Sequence, residues 1–268
     1  MTTHTQSDEA TVLYESRDGI ATITMNRPRQ LNAFDTSMFR GLAEAFIRFR
    51  EDDGDRVAIL TGAGDRSFCA GVDLKERAGS GESGLDFPDI APLVNPFWPT
   101  RTNVVEKPVI AAVNGYAMGG GFYMVLQADL AIASSTAQFE ISEIPRGTVA
   151  GWETGARHNL PTKAWAEIAF GCRLSAARAY DMGLVNDVVE PDALMDAARA
   201  QAEAILRVPP RVIRRNLELL RRVKPSIADD IWTAEAGYLD ESRNDPDTAE
   251  AIAAFVERRE PVWLEARR

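Results

Sequence analysis

Residues 107–127 read KPVIAAVNGYAMGGGFYMVLQ, and this segment predicts a strand, a turn and a helix in succession. Its VIAAV run has β-branched residues and no polar alternation, which is typical of a strand covered on both faces. The triplet Gly119-Gly120-Gly121 follows, where the helix is expected to begin. Free N–H groups at a helix start can bind an anionic oxygen, although the triplet taken alone fits a tight strand-to-helix turn better.

The segments before this one extend the same pattern. Residues 57–61 (VAILT) form a second apolar run, and residues 11–16 and 20–25 alternate in polarity around Asp18-Gly19. That dipeptide accepts a positive φ, so we expect the chain to open with a β-hairpin. Asp35 is a suitable N-cap for a helix with apolar residues at helical spacing, which are Met38, Leu42, Phe46 and Phe49.

Strands are also expected within residues 129–133 and 184–189, and helices lie between the predicted strands. Strands that alternate with helices imply βα units, so the predicted fold class is α/β. From about Pro191 onward the pattern is helical only, and proline pairs or Asn-Asp-Pro mark the helix starts. We therefore expect a core over residues 1–190 and a helical region over residues 191–268.

Composition limits the possible functions. The chain has 268 residues, and 40 acidic against 30 basic side chains give a net charge of −10 at pH 7, which argues against a nucleic-acid partner. No apolar run approaches the roughly 20 residues of a membrane helix. The N-terminus has no basic start followed by an apolar stretch, so we expect a soluble, cytoplasmic protein. The chain has two cysteines and two histidines. These are too few for a disulfide framework and offer few ligands for a metal centre.

A second glycine-containing turn follows the VAILT run. Residues 67–76 (SFCAGVDLKE) bend at Ala70-Gly71 and are expected to begin a short helix, which leaves another set of free amides. Two such turns could each direct one N–H at a single carbonyl oxygen, which is an oxyanion hole. Ser67 stands where a dinucleotide-binding G-x-G-x-x-G motif needs glycine, so phosphate-loop interpretations are disfavoured.

The motifs together resemble the crotonase superfamily, the enoyl-CoA hydratase/isomerase family. They are Asn26-Arg-Pro with Leu31-Asn-Ala33, then LTGAGDRSFCAGVDLKE, KPVIAAVNGYAMGGG, AQFEISEIPRG and MGLVNDVV, in the family's order and spacing. The resemblance covers about residues 11 to 265. It implies a crotonase-like spiral of ββα units that binds an acyl-CoA thioester, and a C-terminal helical region that forms homotrimers or dimers of trimers. No cofactor is implied beyond the CoA of the substrate.

The resemblance also implies roles for individual residues. The two oxyanion-hole amides fall on Val72 and Gly120, and the acid/base falls on Glu143 within Phe139-Glu-Ile-Ser-Glu143. Glu140 is the competing carboxylate. Further positions are expected to bind substrate or CoA, and they are Arg29, Ala33, Ala70, Asp73, Leu74, Lys75, Trp152, Glu153 and Tyr238.

One departure from the family concerns catalysis directly. The family's usual hydratase has two glutamates, and the first of these positions is Tyr123 here. Hydration of a 2-enoyl-CoA remains the first expectation, with Tyr123 as a catalytic candidate that, like Glu153, could help to place the water. Double-bond isomerisation and a hydroxycinnamoyl-CoA hydratase-lyase reaction stay open, the latter with Tyr238 facing the acyl group. A non-catalytic acyl-CoA-binding protein is the alternative from another class.

The C-terminal helices also bear on assembly. Large apolar residues there would expose a wide patch in a monomer, and they include Trp232, Tyr238, Phe255 and Trp263. Burial by partner subunits would remove this patch from water. These large apolar residues therefore favour the homotrimer or dimer of trimers that the resemblance implies.

Overall fold

A computed structural model describes residues 10–73, 105–150, 160–223, 229–242 and 244–263. The chain opens with an antiparallel hairpin of β1 (Val12–Arg17) and β2 (Ile20–Met25), as predicted. Helix α1 (Thr36–Glu51) follows, and the Asp35 carboxylate accepts a hydrogen bond of 2.7 Å from the Met38 N–H. The predicted N-cap is thereby confirmed.

In the described residues, eight further short strands complete two sheets. They are β3 (Val57–Gly62), β4 (Ser67–Cys69), β5 (Val109–Val113), β6 (Tyr116–Met118), β7 (Leu130–Ser134), β8 (Gln138–Glu140), β9 (Leu174–Ser175) and β10 (Asp187–Val189). The larger sheet has the order β1-β2-β3-β5-β7-β10 and is parallel from β2 onward. The smaller sheet has the order β4-β6-β8-β9, with only the β8–β9 pair antiparallel.

The strand order confirms the α/β fold and its spiral of ββα units. Each consecutive pair, β3–β4, β5–β6 and β7–β8, places its first strand in the larger sheet and its second in the smaller sheet. Helix α2 (Gly120–Gln127) follows the second pair. All residues of β3 and β5 are buried, as their unbroken apolar sequences predict. Phenylalanines fill much of the space between the layers, notably Phe39, Phe46, Phe68, Phe122 and Phe139.

The described residues of the second half of the chain form six helices. They are α3 (Thr162–Ala169), α4 (Ala176–Asp181), α5 (Leu194–Leu206), α6 (Pro210–Val223), α7 (Asp229–Ser242) and α8 (Pro246–Glu257). Helix α5 buries Leu194, Ala198 and Ala202 against isoleucines of the larger sheet. The first long helix after residue 190 therefore packs on the larger sheet. The division of residues 191–268 from the core as a separate region stays a prediction.

One strand is shorter than its sequence predicts. Leu184 and Val185 are buried, yet they belong to the turn after α4, and strand pairing begins only at Asp187. Apolar residues that pack from a turn produce the same pattern as a strand. Within the described ranges, no helix is long and apolar enough to cross a membrane.

Candidate active site

The first glycine turn presents the Val72 amide. Val72 forms a parallel bridge with Phe34, in which the Phe34 N–H donates to the Gly71 carbonyl and the Asp73 N–H donates to the Phe34 carbonyl, both at 2.7 Å. These bonds use atoms of Gly71 and Asp73, so the Val72 N–H points away from the bridge. Gly71 has a φ of +86°, which only glycine adopts readily.

The second glycine turn lies directly against the first. Gly119 precedes α2, so the Gly120 N–H is the first of the helix and has no acceptor within it. A Cβ atom on Gly71 would lie 3.7 Å from the Gly120 nitrogen and 3.0 Å from the Met118 oxygen. In the part of the chain that the structure describes, neither the Val72 nor the Gly120 N–H donates to a protein acceptor. The two turns are thus adjacent, and each carries an N–H group that is not used by an acceptor in the described residues.

The Glu143 carboxylate lies beside the second turn. A Cβ atom on Gly119 would lie 2.8 Å from Glu143 Oε1 and 3.1 Å from Oε2, which places the carboxylate against the Gly119 Cα. Glu143 is half-buried and immediately precedes a 3-10 turn over Ile144–Arg146. The structure therefore places the Glu143 carboxylate beside the second glycine turn.

Glu140, the competing carboxylate, has a different environment. Its side chain is 8% exposed and pairs with the Arg173 guanidinium, while its carbonyl accepts a 2.9 Å hydrogen bond from the Gly119 N–H. The Glu140 carbonyl thus holds the glycine turn from the strand side, while its carboxylate is engaged by Arg173. Between the two glutamates, Glu143 is the one whose carboxylate reaches the glycine turn.

Arg146 is a residue of the site that sequence reasoning missed. Its guanidinium donates to the Ser142 carbonyl and stacks 4.2 Å from the ring centre of Phe255 in α8. Burial lowers the pKa of Arg146, while the carboxylates of Glu140 and Glu143 oppose that effect. A positive charge therefore lies near the Glu143 carboxylate. The arginine stands within the IPRG motif, but only the folded chain reveals its aromatic partner.

Arg27 and Asn32 hold the first turn, and their roles were also missed. Arg27 pairs with Asp35 and with Asp73, each at 3.1 Å. Asn32 is fully buried and its side-chain amide donates to the Ala63 and Ser67 carbonyls at 3.0 and 2.7 Å. The Asn26-Arg-Pro and Leu31-Asn-Ala motifs thus supply two side chains, Arg27 and Asn32, that hold the segment ending at Val72 in position.

The remaining predicted site residues are distributed over several elements. Arg29 is exposed, and Ala33 and Ala70 are half-buried beside the first turn. The Asp73 carboxylate is engaged by Arg27, and Tyr123 packs partly buried against the core from α2. Four predicted residues lie outside the described ranges, namely Leu74, Lys75, Trp152 and Glu153.

Cys69 has a packing role beside the first turn. Cys69 is fully buried in β4, its burial raises the pKa of its thiol, and the Gly71 N–H lies 3.4 Å from its sulfur. It packs in the core rather than acting as an exposed nucleophile. Among the described residues, no cluster of three or more His, Cys, Asp or Glu side chains could hold a metal ion.

A cavity of about 540 Å³ is lined by the segment that follows Glu143 in sequence. One wall is the segment that begins with Ile144 and includes Val149 and Ala150, and the facing wall is helix α7. Tyr238, which the hydratase-lyase alternative expects to face the acyl group, lines this cavity together with Glu235. The volume lies within the usual range of small-molecule pockets.

Comparison with known proteins decides the family. Residues 15–266 match the family model described as enoyl-CoA hydratase/isomerase. The chain belongs to the enoyl-CoA hydratase/isomerase family. This family acts on acyl-CoA thioesters. An acyl-CoA is therefore the class of substrate to consider for the Glu143 carboxylate and the two amides described above.

Relatives within the enoyl-CoA hydratase/isomerase family span nearly the whole chain. A carnitinyl-CoA dehydratase of Proteus mirabilis is 36% identical over 259 residues, which covers 92% of this chain and 96% of that protein. An (E)-benzylidenesuccinyl-CoA hydratase of Thauera aromatica is 35% identical, with 94% and 98% covered. The structure of a carnitinyl-CoA dehydratase from Mycobacterium avium superposes with a TM-score of 0.82 at 34% identity and covers 96% of this chain and 99% of its own. The fold assignment and the family assignment therefore agree.

Proposed function

We propose that this enzyme hydrates a 2-enoyl-CoA reversibly, with Val72, Gly120 and Glu143 as its central catalytic groups. The observation that carries the proposal is the contact of the Glu143 carboxylate with Gly119, beside the two turns that carry the Val72 and Gly120 N–H groups. Hydratase and dehydratase activities in the names of relatives support the choice of hydration over other reactions of the family.

In this proposal the Val72 and Gly120 amides bind the thioester oxygen. Addition of water to an enoyl thioester places negative charge on that oxygen as an enolate forms, and both donors then interact more strongly with it. The N-terminal end of α2 adds its positive dipole at Gly120. CoA enters as part of the substrate, and no separate cofactor takes part.

Glu143 transfers the protons. Its carboxylate removes a proton from water while the water oxygen bonds to the β-carbon, and the double-bond electrons move to the thioester oxygen. The resulting carboxylic acid then protonates the α-carbon, which restores the thioester carbonyl and the carboxylate. One carboxylate thus completes the cycle, and Tyr123 borders the site without supplying a second.

The CoA moiety is proposed to bind along the first turn. Ala70, Asp73, Leu74 and Lys75 would contact it, with Arg29 and Ala33 from the preceding loop, as the family resemblance implies. Trp152 and Glu153 are proposed for the acyl-pocket wall.

Assembly as a homotrimer or a dimer of trimers, in the cytoplasm, is part of the same proposal. Apolar side chains of the C-terminal region support it, because in the single chain they remain about half exposed, as at Leu220, Tyr238, Phe255 and Trp263. Helix α8 also packs against the 3-10 turn that follows Glu143. There the Thr248 hydroxyl donates a hydrogen bond of 2.9 Å to the Gly147 carbonyl. In an assembled oligomer, contacts with neighbouring subunits would hold these helices against the site.

Product analysis tests the reaction against its alternatives. Purified protein is mixed with crotonyl-CoA, a 3-enoyl-CoA and a feruloyl-type CoA, and products are followed by mass. Hydration adds one water to crotonyl-CoA, isomerisation leaves the mass of the 3-enoyl-CoA unchanged while moving its double bond, and hydratase-lyase action splits the feruloyl thioester. If thioesters raise the melting temperature but none is converted over hours, the protein is an acyl-CoA binder and hydration is wrong.

A further inference from the structure

Hydrogen bonds hold the backbone on both sides of Glu143. The Arg146 and Thr148 N–H groups donate to the Glu143 carbonyl at 3.0 and 3.1 Å. The carbonyl of the preceding residue, Ser142, accepts a hydrogen bond from the Arg146 guanidinium. Both peptide groups that flank the Glu143 Cα are therefore fixed, and one of them is fixed by a side chain.

The guanidinium of Arg146 is held from a second direction by helix α8. Its central carbon lies 4.2 Å from the centre of the Phe255 ring, where a cation and the face of an aromatic ring attract each other. An arginine side chain has many rotamers, and contact with a ring reduces their number. A guanidinium that keeps one orientation also keeps its hydrogen bond to the Ser142 carbonyl.

Helix α8 is itself anchored, so it can support the turn. Thr248, Ala251 and Phe255 lie on one helix face, at positions i, i+3 and i+7. Ala251 is buried, and the Thr248 hydroxyl donates to the Gly147 carbonyl at 2.9 Å. The Asp245 carboxylate caps the helix by accepting a 3.2 Å hydrogen bond from the Thr248 N–H. The same helix face thus contacts the turn at two points.

The side chains of the turn lie against the second glycine turn. A Cβ atom on Gly119 would lie 2.8 Å from Glu143 Oε1 and 2.9 Å from Ser142 Oγ. The segment from Ser142 to Arg146 is therefore held between the Gly119 turn and α8. A shift of this segment at α8 would also move the carboxylate relative to Gly119.

We infer that Arg146 is a positioning residue for Glu143 and that the Phe255 ring acts through it, so that helix α8 holds the carboxylate in place for proton transfer. The inference rests on the proposed function, in which Glu143 transfers the protons. It gives Arg146 no contact with the thioester. Since a misplacement of about 1 Å costs on the order of 100-fold in rate, loss of the guanidinium should lower kcat and leave KM nearly unchanged.

Steady-state kinetics with crotonyl-CoA test the role of Arg146. Arg146→Met keeps an apolar stem without the charge and the donors, and it should lower kcat about 10- to 100-fold with KM changed less than about twofold. Arg146→Lys keeps the charge and a donor and should lose less than about tenfold. The control is Arg211→Met, the same change at an exposed arginine of α6, and it should keep the wild-type kcat. Wild-type kcat in Arg146→Met, or a loss chiefly in KM, overturns the inference.

A double-mutant cycle tests whether Phe255 acts through Arg146. Phe255→Leu should lower kcat about three- to tenfold, and Phe255→Tyr, which keeps the ring face, should lower it less than about twofold. Val256→Ala, at the next and more exposed position of the same helix, should have no effect. In Arg146→Met protein, the addition of Phe255→Leu should cost no further activity. A loss of undiminished size in that background would contradict the coupling.

Amide hydrogen exchange separates the inference from the proposed function, because it needs no turnover. Exchange of the Arg146 and Thr148 amides should be about three- to tenfold faster in Phe255→Leu than in wild type, and unchanged in Val256→Ala. Unchanged exchange in Phe255→Leu overturns the inference whatever the activity, and hydration of crotonyl-CoA by the wild type would leave the proposed function intact. Faster exchange in a protein that hydrates no enoyl-CoA would support the hold of α8 on the Glu143 turn and refute hydration.

Discussion

Gly119→Ala should disable the site through a single added methyl group. Gly119 has a φ of +52° and a ψ of −122°, a conformation that is populated almost only by glycine. The new Cβ would lie 2.8 Å from Glu143 Oε1 and 2.9 Å from Ser142 Oγ. The variant therefore strains the backbone and displaces the carboxylate at once.

The structure sets the size of the effect. The Cβ–Oε1 separation is about 0.6 Å short of an ordinary contact of 3.4 Å, so the Glu143 carboxylate must move by that amount. Since a misplacement of about 1 Å costs on the order of 100-fold in rate, kcat should fall about 10- to 100-fold. The backbone strain should lower the free energy of unfolding by about 1–3 kcal/mol.

Gly183→Ala is the matched control. Gly183 also has a positive φ, of +76°, but a Cβ there would meet no atom within 4 Å. Stability from denaturant unfolding and kcat with crotonyl-CoA are measured for both variants, at a temperature where both are folded. Both should lose stability, and only Gly119→Ala should lose turnover. Wild-type kcat in Gly119→Ala, or an equal loss in Gly183→Ala, would refute the reasoning.

Three further predictions concern the C-terminal helices and the thiols. Thr248→Val removes the hydrogen bond to the Gly147 carbonyl and should lower kcat severalfold with little change in the KM for CoA thioesters, as steady-state kinetics will show. Deleting the residues after about Asp229 should remove assembly and turnover together, and light scattering that finds a fully active monomer would contradict this. A thiol reagent at pH 8 should label the exposed Cys172 in native protein but not Cys69, whose burial raises its pKa, and denaturant should expose both.

Local signals predicted the sheets and the first helix well. The unbroken apolar runs at Val57–Gly62 and Val109–Val113 became buried parallel strands, and Asp35 caps α1. Each of these features depends on residues that are adjacent in sequence or one helical turn apart, so a pattern alone determines them. The opening hairpin is predictable for the same reason, because Asp18-Gly19 fixes its turn.

The site was predictable only in part, because its contacts join distant segments. The motifs pointed to Gly120 and Glu143, but the support of Arg146 by Phe255 spans 109 positions of the sequence and has no local signal. Likewise, the role of Glu140 became clear only with its ion pair to Arg173. At Leu184 the apolar pattern predicted a strand, whereas tertiary packing buries this residue from a turn.

The most direct test of the account is the mass and yield of the product from crotonyl-CoA with wild type and with Glu143→Gln. The substitution keeps the size of the side chain and removes its ability to exchange a proton. The wild type should form a product heavier by one water, and Glu143→Gln should bind the same thioester while losing about 100- to 10,000-fold in turnover. Hydration by Glu143→Gln within a few-fold of the wild-type rate would contradict the central role of this carboxylate.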